Sequence, residues 1–156
     1  MKNKKGISLI VLVVTIIVII ILAGAVILSL TNNNPIEEAN KAKRDHSASE
    51  ATSALSLYLG KVMAKVGDSV QLDISAETPV NDTGLKVILG GAGAKVGVYE
   101  KAGDYKAFVK PTDASAAGYT ECVVTAAKLG FATWPTAPGY TLKVSTNCIL
   151  NFVQNP

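Results

Sequence analysis

Histidine occurs once in the 156 residues, at His46, and cysteine twice, at Cys122 and Cys148. Two thiols cannot build a disulfide-dense miniprotein, and one histidine with two distant cysteines lacks the ligand spacing of a zinc cluster. A nucleophilic triad needs a histidine held in a scaffolded cleft, whereas His46 falls in a polar stretch and reads as solvated. Aromatic residues make up 6% of the chain and the first is Tyr58, so no ladder of stacked rings for electron transfer can run through its N-terminal part. Charged residues are only 17% against an apolar share of 49%, the reverse of a disordered composition. Gly90-Gly91-Ala92-Gly93-Ala94-Lys95 falls short of a phosphate loop, because Ala94 stands where a glycine must precede the lysine and no Ser or Thr follows it. It reads as a turn between strands. No enzyme, cofactor or metal site is expected.

The shortage of charge is local. No charged side chain occurs between Lys5 and Glu37, and the net +3 is carried by Lys2, Lys4 and Lys5; the rest of the chain holds twelve basic and twelve acidic residues. Residues 7–30 are almost wholly aliphatic. As a helix they rise about 36 Å at about 1.5 Å each, enough for a bilayer core that needs about 20 apolar residues. β-Branched residues are no obstacle there, since a helix satisfies its own backbone in lipid. Three lysines before the run and none just after it keep the leader in the cytoplasm and place the remainder on the exported side. A cleavable secretory signal is one alternative, with Ala23-Gly24-Ala25 as its small-residue site. Cleavage there leaves Val26-Ile27-Leu28-Ser29-Leu30 as a greasy new N-terminus. A plain single-pass anchor is the other alternative.

Beyond residue 30 the pattern changes twice. Thr31-Asn32-Asn33-Asn34-Pro35 breaks the helix, because asparagines compete for backbone hydrogen bonds and the residue before a proline is pushed out of helical geometry. Asn34 is a good N-cap, Pro35 suits a first turn and Glu37 occupies the capping-box position; Glu37 and Lys41 have the spacing of an ion pair. Ala51, Ala54, Leu55, Tyr58, Leu59, Val62 and Val66 then form one apolar helical face, which stops at Leu59 with Gly60 as cap or, the preferred option, at Val66 with Gly67. From Asp68 the period is two. Strands are expected at 70–75, 85–89, 95–101, 105–110, 119–125, 140–145 and 148–153, with Asn81-Asp82-Thr83-Gly84 and Gly103-Asp104 among the turns. The expected fold is α+β: a long N-terminal helix, apolar then amphipathic and broken near Asn34-Pro35, packed on a C-terminal antiparallel sheet. The expected segments are a leader at 1–6, an apolar helix at 7–30, a kink and amphipathic helix at 31–66, and a β-rich head at 67–156.

Lys4-Lys5-Gly6, followed directly by an uncharged helix and then by an amphipathic helix leading into a β-rich domain, resembles the N-terminus of the type IV pilin and pseudopilin family. The resemblance covers about the first 60 residues. It implies a pilin-like fold, cleavage after Gly6 by a prepilin peptidase, and N-methylation of Ile7 as the first mature residue. It further implies assembly of the subunit with copies of itself by dedicated pilus machinery, the membrane holding the precursor. The expected location is the cytoplasmic membrane with the head exported, then a cell-surface filament; the alternatives are a minor pilin or pseudopilin of a secretion or DNA-uptake apparatus, or a membrane-anchored binding protein. The assembly helix is marked by Val11, Thr15, Gly24 and Pro35.

Two positions depart from the family pattern. Ile7 replaces the usual phenylalanine, and Val11 stands where a glutamate normally neutralises the mature amine of a neighbouring subunit. A cationic amine buried without a partner costs several kcal/mol or loses its proton. Ser8 and Thr15 offer only hydroxyl oxygens, and no carboxylate precedes Glu37, so the amine is expected in a hydrated part of the filament or beside another pilin's carboxylate. On the exported side Cys122 and Cys148 are expected to pair, similar to the C-terminal clasp of many type IV pilins, the alternative being two free thiols. Closing the loop of about 27 residues contributes about 3.5 kcal/mol in the chain-entropy treatment and steadies the irregular segment around Trp134. Lys41, Lys43 and Arg44, and separately Lys101, Lys106 and Lys110, are diluted by Asp45, Glu100 and Asp104, so no nucleic-acid partner is expected.

Overall fold

The computed structural model describes residues 4–32, 34–90 and 96–156. Helix α1 runs over Lys4–Asn32 and helix α2 over Pro35–Val66. The break falls where the asparagine run and Pro35 demand it. Asn34 carries the new start: its carbonyl accepts the backbone N–H groups of Glu37 (3.0 Å) and Glu38 (3.2 Å), and its amide donates to the Glu37 carboxylate at 3.2 Å. That carboxylate is therefore held by Asn34 and not by Lys41. Gly67, at φ +82°, closes α2 by donating its N–H to the Met63 carbonyl at 2.9 Å, a left-handed cap that glycine adopts without strain.

The chain forms two compact units, Met1–Ala42 and Lys43–Pro156. The second contains the short strands β1 Val70–Leu72, β2 Thr78–Pro79, β3 Val87–Leu89, β4 Val96–Lys101, β5 Asp104–Phe108, β6 Thr120–Glu121, β7 Tyr140–Val144 and β8 Leu150–Gln154, with a short helix α3 at Pro111–Ala116. One antiparallel sheet was expected; there are two, ordered β1-β3-β4-β5 with β6 on β4, and β2-β7-β8. The 119–125 strand is shorter than its pattern because it is bent. It rises along β4 through Glu121 opposite Tyr99, then turns at Cys122 and descends beside Lys86 through Val123. Cys122 donates its N–H to the Val98 carbonyl and its own carbonyl accepts from Val87, both at 2.9 Å, so the apex of the bend fills the fork between β3 and β4.

Both sheets share one core with α2. The buried stripe Ala48, Ala51, Leu55, Tyr58, Leu59 and Val62 packs in a single cluster with Val70, Leu72, Val87, Val98 and Tyr105 of the first sheet and Leu142, Val144 and Leu150 of the second. The opposite face of the first sheet is not bare: Ile88, Tyr99 and Ala114 of α3 are buried outside that cluster. Tyr99 meets Phe108 edge-on at 5.6 Å, and Gly97 leaves room for its ring, since a Cβ there would stand 2.9 Å from Tyr99 Cε2. Helix α3, with Pro111 in its first turn, and the two-residue edge strand β2 are too short to leave a periodic signal. Pro79 has no N–H to give, which suits an edge. The glycine-rich turn assigned to 90–95 falls mostly on 91–95, outside the described residues.

The long segment between β6 and β7 is held by side chains. Asp82 Oδ1 accepts from the Ala126 N–H at 2.9 Å and from Trp134 Nε1 at 2.6 Å. Lys128 Nζ donates to the Val123 carbonyl at 2.6 Å and to the Glu100 carboxylate. Replacing Asp82 by Ala strands two donors on a partly wet surface. Urea unfolding of Asp82→Ala should show a loss of about 1–2 kcal/mol, with Asp82→Asn, which keeps the accepting oxygen, recovering most of it; equal losses in both variants would contradict the clasp.

Candidate functional site

Helix α1 is the feature of this chain that its own fold does not use. It contains 29 residues, about 43 Å of helix against a hydrocarbon core of about 30 Å, and by length and composition it can cross a membrane. Its large side chains stand open, from 47% exposed at Val18 to 65% at Ile20, and none of Leu9 to Leu30 is buried. Burial of each Val, Leu or Ile is worth about 1.5–3 kcal/mol, so a rod of this kind does not persist bare in water. The surface is apolar on every side, unlike the one-sided stripe of α2.

The two threonine hydroxyls of the rod are turned inward. Thr15 Oγ1 donates to the Leu12 carbonyl at 2.8 Å and Thr31 Oγ1 to the Ile27 carbonyl at 2.9 Å, so both hydroxyls spend their protons on their own helix. Gly24 has nothing within 4 Å of where a Cβ would sit, leaving a smooth patch that allows another helix to come close. Val11 is 54% exposed. Gly6 and Ile7 lie in the first turns of α1, residues 1–3 of the assigned leader lie outside the described residues, and Pro35 opens α2. Thus Gly6, Ile7, Val11, Thr15 and Gly24 share one helix, and Pro35 starts the next.

Cys122 and Cys148 are not joined; both thiols are free. The expected bond is absent, and the Cys122 sulfur has another partner. Cys122 is the fully buried apex in the β3–β4 fork, whereas Cys148 sits in the β7–β8 turn, its N–H donating to Ser145 at 2.9 Å with φ +60°. The Cys122 Sγ is engaged instead with the Tyr58 hydroxyl at 3.3 Å, which also meets the Tyr105 hydroxyl at 3.4 Å. Burial pushes the Cys122 thiol up from its ordinary range, opposed by the Tyr58 hydrogen bond, and burial pushes the Tyr58 phenol far up as well. These are neutral core groups, poor nucleophiles in either case. The task assigned to a disulfide, steadying the Trp134 segment, is done by Asp82.

Several charged side chains of the head are likewise occupied locally. Tyr119 donates its hydroxyl to Asp104 Oδ2 at 2.7 Å, Lys106 stands 3.9 Å from the same carboxylate, and Lys101 donates to the Ala117 carbonyl at 3.0 Å. His46 is exposed on α2. Among the described residues no group of three or more His, Cys, Asp or Glu is placed to hold a metal ion. No family model, curated protein or solved structure matches the chain.

Without a reducing agent, the whole chain should take up a thiol reagent at Cys148 in the folded state and at Cys122 only after denaturation. A chain that takes up label at neither position until it is reduced would falsify the free-thiol arrangement.

Proposed function

We propose that this chain is a structural subunit of a type IV pilus-like surface filament, polymerising through α1. The observation that carries the reading is the division of labour in the molecule. The unit from Lys43 onward has a core of its own, while residues 8–31 of α1 present an all-round aliphatic surface with no side chain buried. Such a rod has two good solvents: lipid tails and other aliphatic rods. Passage from one to the other is nearly neutral in hydrophobic energy, so helix association rests on packing, and the small surface at Gly24 favours close approach. Cleavage after Gly6 removes the lysines that hold the rod's end at the cytoplasmic face. The head then forms the outer coat.

A second reading, a minor subunit or pseudopilin of a secretion or DNA-uptake apparatus, is favoured by one observation: Val11 occupies the position of the family's glutamate. It shares the processing step and differs in copy number. Intact mass and N-terminal sequencing of the protein recovered from cells test the class. The expected result is N-methylated Ile7 as the first residue. Met1 in place would leave a membrane anchor, and Val26 a cleaved secretory signal.

A further inference from the structure

The turn between β2 and β3 carries Asn81-Asp82-Thr83, the triplet Asn-X-Thr with X other than proline, which accepts N-linked sugar on surface loops of exported chains. Of all the asparagines in the chain, Asn81 alone has a serine or threonine two places on. Asn81, Asp82 and Thr83 are all exposed. The motif pairs an amide with a hydroxyl, and the turn brings the two together. Thr83 donates both its N–H and its Oγ1 proton to Asn81 Oδ1, each at 3.0 Å, in the manner of an Asx turn. Both contacts use Oδ1, so the turn itself makes no demand on Nδ2. Gly84 belongs to the arrangement, because a Cβ there would stand 3.0 Å from Asn81 Oδ1.

The middle residue of the triplet is an acid, and a free carboxylate beside the acceptor amide would repel an anionic sugar donor. Here that carboxylate is engaged with the head: Asp82 Oδ1 accepts from the Ala126 N–H at 2.9 Å and from Trp134 Nε1 at 2.6 Å. The same two bonds hold the turn in place, and Asn81 is exposed, so a saccharide there extends into solvent and displaces no core side chain. We infer that Asn81 is the acceptor of an N-linked glycan, transferred by a membrane-bound oligosaccharyltransferase on the exported side. The donor class is a saccharide carried on a lipid diphosphate. Asn81 Nδ2 attacks its anomeric carbon, and the bond from that carbon to the diphosphate oxygen breaks. The electron pair leaves with the diphosphate, and one amide proton passes to a base of the transferase. Hydrogen bonds onto Oδ1 draw electron density toward the oxygen and make that proton easier to lose. The inference rests on export of the head, which the filament, secretion-apparatus, anchor and cleaved-signal readings share, and not on polymerisation.

Mass spectrometry of the full chain recovered from the cells that naturally produce it tests this. The intact mass should exceed that of the polypeptide by a saccharide, and fragment spectra of the tryptic peptide from Val66 to Lys86 should place the addition on Asn81. Asn81→Gln and Thr83→Ala should each lose it, while Thr83→Ser, which keeps the hydroxyl, should retain it. None of these side chains is buried, and the melting temperature of each variant serves as the folding control; the Thr83→Ala and Thr83→Ser pair decides the matter should Asn81→Gln fail to fold. A wild-type chain with no added saccharide would overturn the inference. So would a saccharide mapped to a serine or threonine hydroxyl, or one that survives in Thr83→Ala. A glycosylated Asn81 on a chain that keeps Met1 would remove the filament reading and leave this inference standing.

Discussion

An aliphatic helix whose side chains from Leu9 to Leu30 include none that is buried is the constraint around which this molecule is built. Soluble folds bury their large apolar side chains, and a helix apolar all round is stable only inside a larger core or in lipid. Here the head buries its own stripe on α2 and closes its own core, leaving α1 as a surface that must be matched from outside. The proposed precursor and polymer are two answers to one requirement. Neither needs bond chemistry from this chain, consistent with a head whose buried tyrosines and cysteine are neutral packing groups.

The break at the asparagine run separates two different kinds of helix. Before it, side chains offer only contact area; after it, charges appear at once. In the pilin pattern one glutamate near the N-terminus stands within the rod. Val11 leaves the proposed filament without that group in the rod.

The parts legible in the sequence were those set by local rules. Residues 7–30 announce a membrane-length helix by composition, Asn34 and Pro35 announce a restart, and the spacing from Ala51 to Val66 gives the buried face while leaving the stop open between Gly60 and Gly67. Alternation located β1, β3, β4, β5, β7 and β8 to within a few residues. What remained hidden depends on distant meetings. The division into two sheets is decided by which strands Thr78 and Tyr140 find, not by their own periodicity. Asp82 reads as turn filler until Trp134 and Ala126 arrive beside it from more than 40 residues away. Cys122 and Cys148 share a compartment argument for pairing, yet the bend at Cys122 sends its sulfur to Tyr58. The one outward signal for that clasp was Trp134 itself, an indole N–H in need of an acceptor.

The burial of α1 is tested most directly by a three-dimensional reconstruction from electron micrographs of material sheared from cells producing the protein. A bundle of α1 helices along the fibre axis is expected, with residues 8–30 covered by neighbouring copies and the heads outside. Absence of fibres, with every chain remaining in the membrane fraction, or fibres joined through their heads with α1 uncovered, would contradict it.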